Sequence, residues 1–401
     1  MEQNTVEMLY TSFHRKLVTV TLKHRRYLYE KINWNARMIG IKGARGVGKT
    51  TLLLQRIKLA FTDTDTVFYA SLDDLWFKAN SLQELVEYLY THGVTHLFLD
   101  EVHHYEDWSQ NLKNIYDNYP DLNLVYTGSS MLEIDNSRID LSRRQTVYEL
   151  AGLSFREFLA FEDKLKIDPV PLETLVTQHL QIGMEITSKT KILSLFEKYL
   201  RYGYYPFYKD AGEDFPLRLQ EVISLVISSD LPAIEDIAYT TVQKTKKMLV
   251  VLAECVPFTP NISKLCKELE ITRDLGLKLL YILDRAALLN LLTSEIKNYK
   301  QLSKPDKIYL NNSNLMYALA VNTDKGNLRE TFFLNQTSAV NPVQLPKQGD
   351  FLVGEKYLFE VGGKGKTFEQ IKDLPNSYLA VDDIELGHNN RIPLWMFGLF
   401  Y

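Results

Sequence analysis

The chain has 401 residues, of which 45% are hydrophobic, and carries a net charge of −4. This length predicts about two to three domains, and the charge excludes a strongly basic protein, so any DNA contact has to come from a local basic face. Two cysteines, Cys255 and Cys266, are too few and wrongly spaced for a disulfide framework or a cysteine zinc site. Since we find no apolar stretch of about 18 residues and no secretory leader, we expect a cytoplasmic protein without a membrane segment.

A glycine-rich run follows the apolar residues 38–41 and precedes a helical pattern. Gly43, Gly48, Lys49 and Thr50 fill the spacing G-x-x-x-x-G-K-[ST]. Glycine lets backbone N–H groups approach phosphate oxygens, and the helix that follows directs its positive end at them. We expect Lys49 at the β and γ phosphates and Thr50 at Mg²⁺, with a glycine-rich turn without ligand as the alternative. The predicted ATP site comprises Gly43, Ala44, Arg45, Gly46, Val47, Gly48, Lys49, Thr50 and Thr51.

Strand and helix patterns alternate after this loop, which predicts a parallel sheet. The strand at residues 95–101 ends in two carboxylates, Asp100 and Glu101. We expect Asp100 to hold the Mg²⁺ shell and Glu101 to orient or deprotonate the attacking water. An ordinary acidic strand end is the alternative.

The polar residues that follow Asp100 and Glu101, and those at the end of the next strand, can each have a functional or a structural role. His103 and His104 are expected to point in different directions, and neither has a histidine four residues away, so packing at a helix start is favoured over a metal site. The next strand, at residues 122–127, ends near Thr127 and Ser129. These two are candidates for sensing the γ-phosphate, with turn chemistry as the alternative.

Three sequence runs carry a family resemblance: residues 100–103, residues 127–130 and residues 153–158. Together with the glycine-rich loop they resemble the prokaryotic AAA-superfamily ATPases related to archaeal and signal-transduction ATPases. The resemblance implies ATP and Mg²⁺ as cofactors. In that family a Gly-Arg pair precedes the third run, and here Arg144 takes the arginine position while Arg143 replaces the glycine. The resemblance implies that Arg144 meets the γ-phosphate in cis or in trans, and a solvated surface arginine is the alternative.

The middle of the chain is predicted to be helical. Residues 261–269 and a helix capped by Thr272, followed by strands at 288–293 and 307–310, predict a winged helix. Its second helix offers Arg273, Lys278 and Arg285 to duplex DNA. Acidic neighbours dilute this charge, so a purely structural winged helix is the alternative.

The end of the chain resembles PD-(D/E)xK nuclease-type folds. Short strands are predicted at 350–353, 357–361, 377–381 and 394–401. The resemblance places Glu330, Asp350 and Glu360 at metal-binding positions and Gln370 at the start of a helix. Gly362 occupies the position of the family's lysine. Two alternatives follow: either Lys364 or Lys366 completes an active nuclease centre, or the centre is degenerate.

Taken together, the sequence predicts an α/β protein with a P-loop NTPase parallel sheet, a helical and winged-helix middle and a nuclease-like α/β C-terminal domain. The expected activity is slow Mg²⁺-dependent ATP hydrolysis that acts as a switch. The alternatives are a nucleotide-stabilised interaction protein and an ATP-controlled DNA nuclease. The sequence leaves open whether the chain forms a homo-oligomer or binds a protein partner. The predicted segments are residues 1–160 (ATPase), 161–255 (helical), 256–320 (winged helix) and 321–401 (nuclease-like).

Overall fold

The structure is a computed structural model that describes residues 3–129, 141, 143–234, 238–255, 261–293 and 304–401. Two predictions include positions outside the described residues. One is the run 127–130, which includes Ser130, and the other is the winged-helix segment, which begins at residue 256. Among the described residues, no helix is both long enough and apolar enough to cross a membrane.

Helices and strands alternate along the first 150 residues. They are α1 (Gln3–Thr19), β1 (Met38–Gly43), α2 (Lys49–Ala60), β2 (Val67–Ser71), α3 (Leu82–Thr91), β3 (His96–Asp100), α4 (Trp108–Asn118), β4 (Asn123–Ser129) and β5 (Thr146–Glu149).

Helices dominate the next part, and short strands dominate the end. The helices are α5 (Phe155–Phe161), α6 (Leu172–Thr187), α7 (Ile192–Tyr202), α8 (Tyr208–Ala211), α9 (Phe215–Leu225), α10 (Leu231–Ile234), α11 (Tyr239–Cys255), α12 (Ile262–Glu268), α13 (Arg273–Arg285), α14 (Ser313–Leu319) and α15 (Lys325–Ser338). The strands are β6 (Leu289–Leu292), β7 (Lys307–Leu310), β8 (Val343–Gln344), β9 (Phe351–Val353), β10 (Tyr357–Gly362), β11 (Ser377–Val381) and β12 (Arg391–Pro393).

Contacts divide the chain into two compact units. The first unit comprises Met1–Leu150 with Ser228–Asp236, and the second unit comprises Ala151–Ile227 with Ile237–Tyr401. The first boundary therefore falls about ten residues before the predicted one. Residues 151–160 pack in the second unit, where the Leu153 N–H donates to the carbonyl of Tyr204 at 2.7 Å. The three segments predicted after residue 160 share this second unit, apart from the nine residues that return to the first.

The first unit is built on a five-stranded sheet with the strand order β2-β3-β4-β1-β5. Every neighbouring pair is parallel, which confirms the prediction from alternating strands and helices. The central strands are apolar and buried, as expected for a parallel sheet covered on both faces. Gly43 pairs in register with Ser129, so the loop after β1 begins beside the end of β4.

The second unit contains two sheets. The larger has the order β12-β11-β10-β9-β8, in which β10, β11 and β12 are parallel and the other pairs are antiparallel. The smaller is the antiparallel pair β6 and β7, which follows α12 and α13. Strands occur close to the predicted positions at 288–293, 307–310, 350–353, 357–361 and 377–381, while the winged-helix and nuclease-like assignments stay predictions.

The aromatic tail at residues 394–401 was predicted as a strand, and this prediction is wrong. Leu394–Leu399 forms a 3₁₀ helix, which points successive side chains in three directions. The helices α5, α6 and α15 pack against it, and Trp395, Met396 and Phe397 are buried. Because this segment is buried on all sides, its residues are continuously apolar and do not alternate between apolar and polar as in a half-buried strand.

Candidate functional site

The glycine-rich loop connects β1 to α2. Gly46 and Gly48 adopt the left-handed backbone at φ 85° and 96°, which explains glycine at these two positions. Gly48 is the N-cap of α2 and has no side chain to cap it, so the first N–H groups of the helix stay available to an anion. A β-carbon at Gly43 would lie 2.5 Å from the Leu150 carbonyl oxygen, which leaves space for glycine alone.

Lys49 is buried in the loop that it follows. Its ammonium donates to the carbonyls of Gly43 and Ala44 at 3.0 and 3.2 Å. Arg26, which sequence reasoning missed, donates to the carbonyl of Val47 in the same loop. The loop is therefore held in its curved shape by two buried cations.

The Asp100 carboxylate accepts hydrogen bonds from three hydroxyl groups, which belong to three different elements. Thr50 and Tyr69 donate to its Oδ2 at 2.6 and 2.8 Å, and Thr127 donates to its Oδ1. The same Thr127 oxygen accepts from the Glu101 N–H at 3.1 Å. The structure thus brings together the ends of β2, β3 and β4 and the start of α2, as predicted for Thr50 and Asp100. Tyr69 was not expected, because one tyrosine in an apolar strand carries no signal.

Glu101 has an unusual backbone and a partly buried carboxylate. Its φ is 51°, a left-handed conformation that is strained for a side chain of this kind and concentrates at functional sites. Its carboxylate lies 3.8 Å from the Lys49 ammonium. Burial raises the pKa of Glu101 above its ordinary value, although the Lys49 charge acts in the opposite direction.

The two histidines after Glu101 lie side by side, contrary to the expectation that they diverge. Their ring centroids are 4.2 Å apart, and both residues belong to the 3₁₀ helix Val102–His104. His103 Nδ1 is 3.5 Å from the Glu101 carboxylate and accepts from the Ser129 N–H at 3.4 Å. Burial lowers the pKa of His103 to about 3, so its ring is neutral.

Asp230 comes from the segment that returns to the first unit. The Arg45 guanidinium donates to it at 2.7 Å, and His104 Nε2 lies 3.8 Å away. Burial raises the pKa of Asp230, with Arg45 acting against this. Sequence reasoning missed Asp230, since 185 residues separate it from Arg45.

These residues fit a nucleotide with Mg²⁺. The hydroxyl of Thr50 and the carboxylate of Asp100 are hard oxygen ligands of the kind that Mg²⁺ prefers. The uncapped start of α2 and the buried Lys49 match phosphate oxygens. Thr51 is exposed on the first turn of α2.

Arg144 forms an ion pair outside this cluster. Its guanidinium donates to both oxygens of Asp117 on α4, at 2.8 and 3.0 Å. This bond is the main reason why the pKa of Asp117 is lowered. The role of Arg144 at the γ-phosphate therefore stays a prediction that requires this pair to open.

A second polar centre lies in the second unit. Lys307 Nζ is 3.5 Å from Glu330 and 4.0 Å from Asp350, and the Val361 N–H donates to Asp350 at 2.9 Å. Tyr309 also donates to Glu330, at 2.6 Å. Burial, then the charge of Asp350, raises the pKa of Glu330.

Glu360 has its own lysine. Lys366 Nζ lies 2.6 Å from Glu360, and its stem crosses Gly362, where a β-carbon would come within 2.8 Å of it. The glycine at the predicted lysine position thus makes room for Lys366. Gln370 lies in a turn, so the predicted helix start there is wrong. When its side-chain amide is oriented with the nitrogen towards Glu360, that nitrogen donates to the carboxylate at 3.1 Å.

The predicted DNA-contacting helix is α13, capped by Thr272, whose hydroxyl accepts from the Leu275 N–H at 3.3 Å. Arg273 and Lys278 are exposed, and Arg285 is half-buried. The apolar face of α13 is mostly buried: Leu279, Ile282, Leu283 and Ala286 are buried and Leu275 is half-buried.

One family model matches about a third of the chain, mostly within the first unit. Residues 35–159 match the AAA_14 family, described as an AAA domain. This match and the five-stranded parallel sheet support an AAA-type P-loop ATPase. The uncharacterized protein MJ1637 of Methanocaldococcus jannaschii is 29% identical over 277 residues, which are 64% of this chain and 57% of that protein. The chain thus matches little more than half the length of this relative.

Solved structures resemble the chain only distantly. AMPPCP-bound DnaA from Aquifex aeolicus is 14% identical with a TM-score of 0.27, covering 71% of this chain and 89% of that one. A RuvB mutant of Thermotoga maritima is 16% identical with a TM-score of 0.26, covering 73% and 90%. The Hsp104–ADP complex of S. cerevisiae is 15% identical with a TM-score of 0.29, covering 68% and 39%. Likenesses of this size carry no argument about function.

Proposed function

We propose that the chain binds ATP with Mg²⁺ at the loop from Gly43 to Thr51 and hydrolyses it with Glu101. The observation that carries this proposal is the cluster around Asp100. Hydroxyls from Thr50, Tyr69 and Thr127 converge on one buried carboxylate, and Glu101 follows it directly. Such a preorganised cluster at the carboxyl ends of parallel strands supports a nucleotide site rather than an ordinary strand end.

Each residue has a defined part in the reaction. Mg²⁺ held by Thr50 and Asp100 would neutralise charge on the β and γ phosphates. The Lys49 ammonium leaves the loop carbonyls and binds the same oxygens. Glu101 orients a water and accepts its proton as the new O–P bond forms and the bond to ADP breaks. The raised pKa of Glu101 makes it a better base than an exposed glutamate.

Nucleotide binding and hydrolysis can be separated by two substitutions. Lys49→Ala should weaken binding of a fluorescent ATP analogue, because it removes the phosphate-binding cation. Glu101→Gln should bind the analogue as tightly as the wild type and hydrolyse ATP at least about a hundredfold more slowly. Glu84→Gln, on the exposed face of α3, is the matched control. Normal ATP binding by Lys49→Ala, or normal turnover by Glu101→Gln, would contradict the proposal.

The nucleotide would act as a switch coupled to duplex DNA through α13. The exposed Arg273 and Lys278 on this helix support the coupling. Arg273→Ala with Lys278→Ala should weaken duplex binding and reduce the slope of log K against log salt by about two, one for each lost phosphate contact. Lys325→Ala with Lys347→Ala, at exposed positions away from α13, is the control pair. Equal DNA binding by both pairs would leave α13 a structural helix.

One observation favours a second function, ATP-controlled cleavage of DNA. Lys366 reaches Glu360 at 2.6 Å and so supplies the cation that Gly362 lacks. This hypothesis expects Mg²⁺-dependent plasmid nicking that both Asp350→Ala and Glu360→Ala abolish. Intact plasmid with the wild-type chain, ATP and Mg²⁺ would exclude it, and would leave Lys307 and Lys366 as structural partners of these carboxylates.

A further inference from the structure

Glu101, His103 and His104 form a cluster in which the two histidines have no part in the proposed hydrolysis. Each offers one ligand atom, and the three atoms lie within 4.8 Å of one another. Tetrahedral zinc holds its ligand atoms about 3.3 Å apart, so small side-chain rotations would close the cluster around an ion. Among the described residues it is the one such group of three.

A second observation concerns the buried ring of His103. Its side chain is fully buried, and Nε2 has no hydrogen-bond partner among the described residues. An unsatisfied buried polar atom is costly, and an absent ion is one of its ordinary explanations.

A third observation is access from solvent. His104 lines a cavity of about 720 Å³ in the first unit, together with Arg45 and Tyr105. Besides Arg45, Lys78 also lines this cavity, but four carboxylates outnumber these two cations, and the net negative charge favours entry of a metal ion. The carboxylates are those of Asp73, Asp74, Glu106 and Asp107.

We propose that Glu101, His103 and His104 bind a divalent transition metal of the zinc class, and that this ion inhibits ATP hydrolysis by withdrawing Glu101 from the attacking water. Imidazole nitrogens suit zinc and cobalt, whereas Mg²⁺ prefers oxygen, so this site differs from the one at Thr50 and Asp100. The inhibitory half rests on the proposed function. The binding half does not.

Metal binding is tested on the full chain without nucleotide, after dialysis against a chelator. Co²⁺ is titrated and its visible absorption recorded, because tetrahedral nitrogen and oxygen ligation gives intense bands. Zn²⁺ should then displace Co²⁺. His104→Gln should weaken Co²⁺ binding about tenfold or more, whereas His92→Gln, an exposed histidine outside the cluster, should not. Equal Co²⁺ binding by the wild type and His104→Gln would overturn the site.

Inhibition is tested by Mg²⁺-ATP turnover at buffered free Zn²⁺. The wild type and His92→Gln should lose turnover as Zn²⁺ rises. His104→Gln should keep its basal turnover and resist Zn²⁺, since it retains Glu101. If the wild type binds metal but keeps its turnover, the inhibitory half of the proposal is overturned and the metal site still stands. A chain that binds Co²⁺ through His104 but never hydrolyses ATP would refute the proposed function and leave the metal site standing.

Discussion

At the scale of single residues, Thr127 connects the two carboxylates of the candidate site. Its hydroxyl donates to Asp100 and accepts from the Glu101 backbone. It therefore fixes the carboxylate assigned to Mg²⁺ and the backbone that aims the assigned base. The sequence left Thr127 open between phosphate sensing and turn chemistry, and the contact with Asp100 gives it a positioning part in the proposed site.

Thr127→Val keeps the shape of the side chain and removes both hydrogen bonds. A hydrogen bond to a charged group is worth about 1.5–3 kcal/mol, so we expect kcat to fall by about 10-fold to 100-fold. Thr127→Ser retains the hydroxyl and should stay within about threefold of the wild type. Steady-state phosphate release measures both. Equal rates for valine and serine would show that the hydroxyl has no part in turnover.

Glu101→Gln should stabilise the fold while it removes activity. Burial raises the folded pKa of Glu101 above the ordinary value of 4.5, so the stability linked to its protonation is present below that value and is lost as the pH rises through the folded pKa. At pH 7.5 the wild type carries the poorly solvated charge and the glutamine variant does not. Urea unfolding in chelator should show a higher midpoint for Glu101→Gln at pH 7.5 and a smaller difference near pH 4.5. A lower midpoint at both values would contradict this assignment.

At the scale of elements, the run at residues 153–158 has a structural explanation. Ser154 caps α5 by accepting from the Glu157 N–H at 3.1 Å, and Glu157 accepts from the Ser154 N–H, which is a capping box. Ser154 also donates to the carbonyl of Tyr401. The resemblance in this run therefore reflects how the second unit begins.

Ser154→Ala removes the cap and one of two donors to the Tyr401 oxygen, which keeps its hydrogen bond from Arg156 Nε at 2.7 Å. We expect a loss of about 1–3 kcal/mol in the free energy of unfolding. Ser188→Ala, at an exposed helix end, should change it by less than about 0.5 kcal/mol. Urea unfolding followed by circular dichroism compares the two. Equal losses would mean that the cap contributes nothing specific.

The elements also show how far local sequence patterns extend. β1, the glycine-rich loop and α2 were predictable because their signals lie within about twenty consecutive residues. The 3₁₀ helix at Leu394–Leu399 was not, since its apolar side chains are buried by helices distant in sequence. Tyr69 and Asp230 were missed because only the folded chain brings them to Asp100 and Arg45, across 31 and 185 residues.

At the scale of the whole molecule, the chain passes between its two units at three points: after Leu150, after Ile227 and after Asp236. The middle segment carries Asp230, which pairs with Arg45 in the phosphate-binding loop. A ligand that engages Arg45 competes for this pair. We propose that this segment is a covalent route by which nucleotide state reaches the second unit.

Hydrogen exchange can follow this route. Peptides covering residues 226–234 should exchange at different rates with a non-hydrolysable ATP analogue and with ADP. Asp230→Asn, which removes the charge from the pair, should make the two rates alike. Peptides from α6 serve as the control, and they should not depend on Asp230. An identical nucleotide effect in the wild type and Asp230→Asn would contradict this route.

The most direct test of the central claim is the steady-state rate of phosphate release from Mg²⁺-ATP, with and without duplex DNA. The account predicts turnover by the wild type and by Glu84→Gln, and a loss of at least about a hundredfold in Glu101→Gln. An increase with DNA in the wild type would support the coupling through α13. Undiminished turnover in Glu101→Gln, or no turnover by a wild type that binds ATP, would contradict the assignment of Glu101 and favour a nucleotide-stabilised interaction protein.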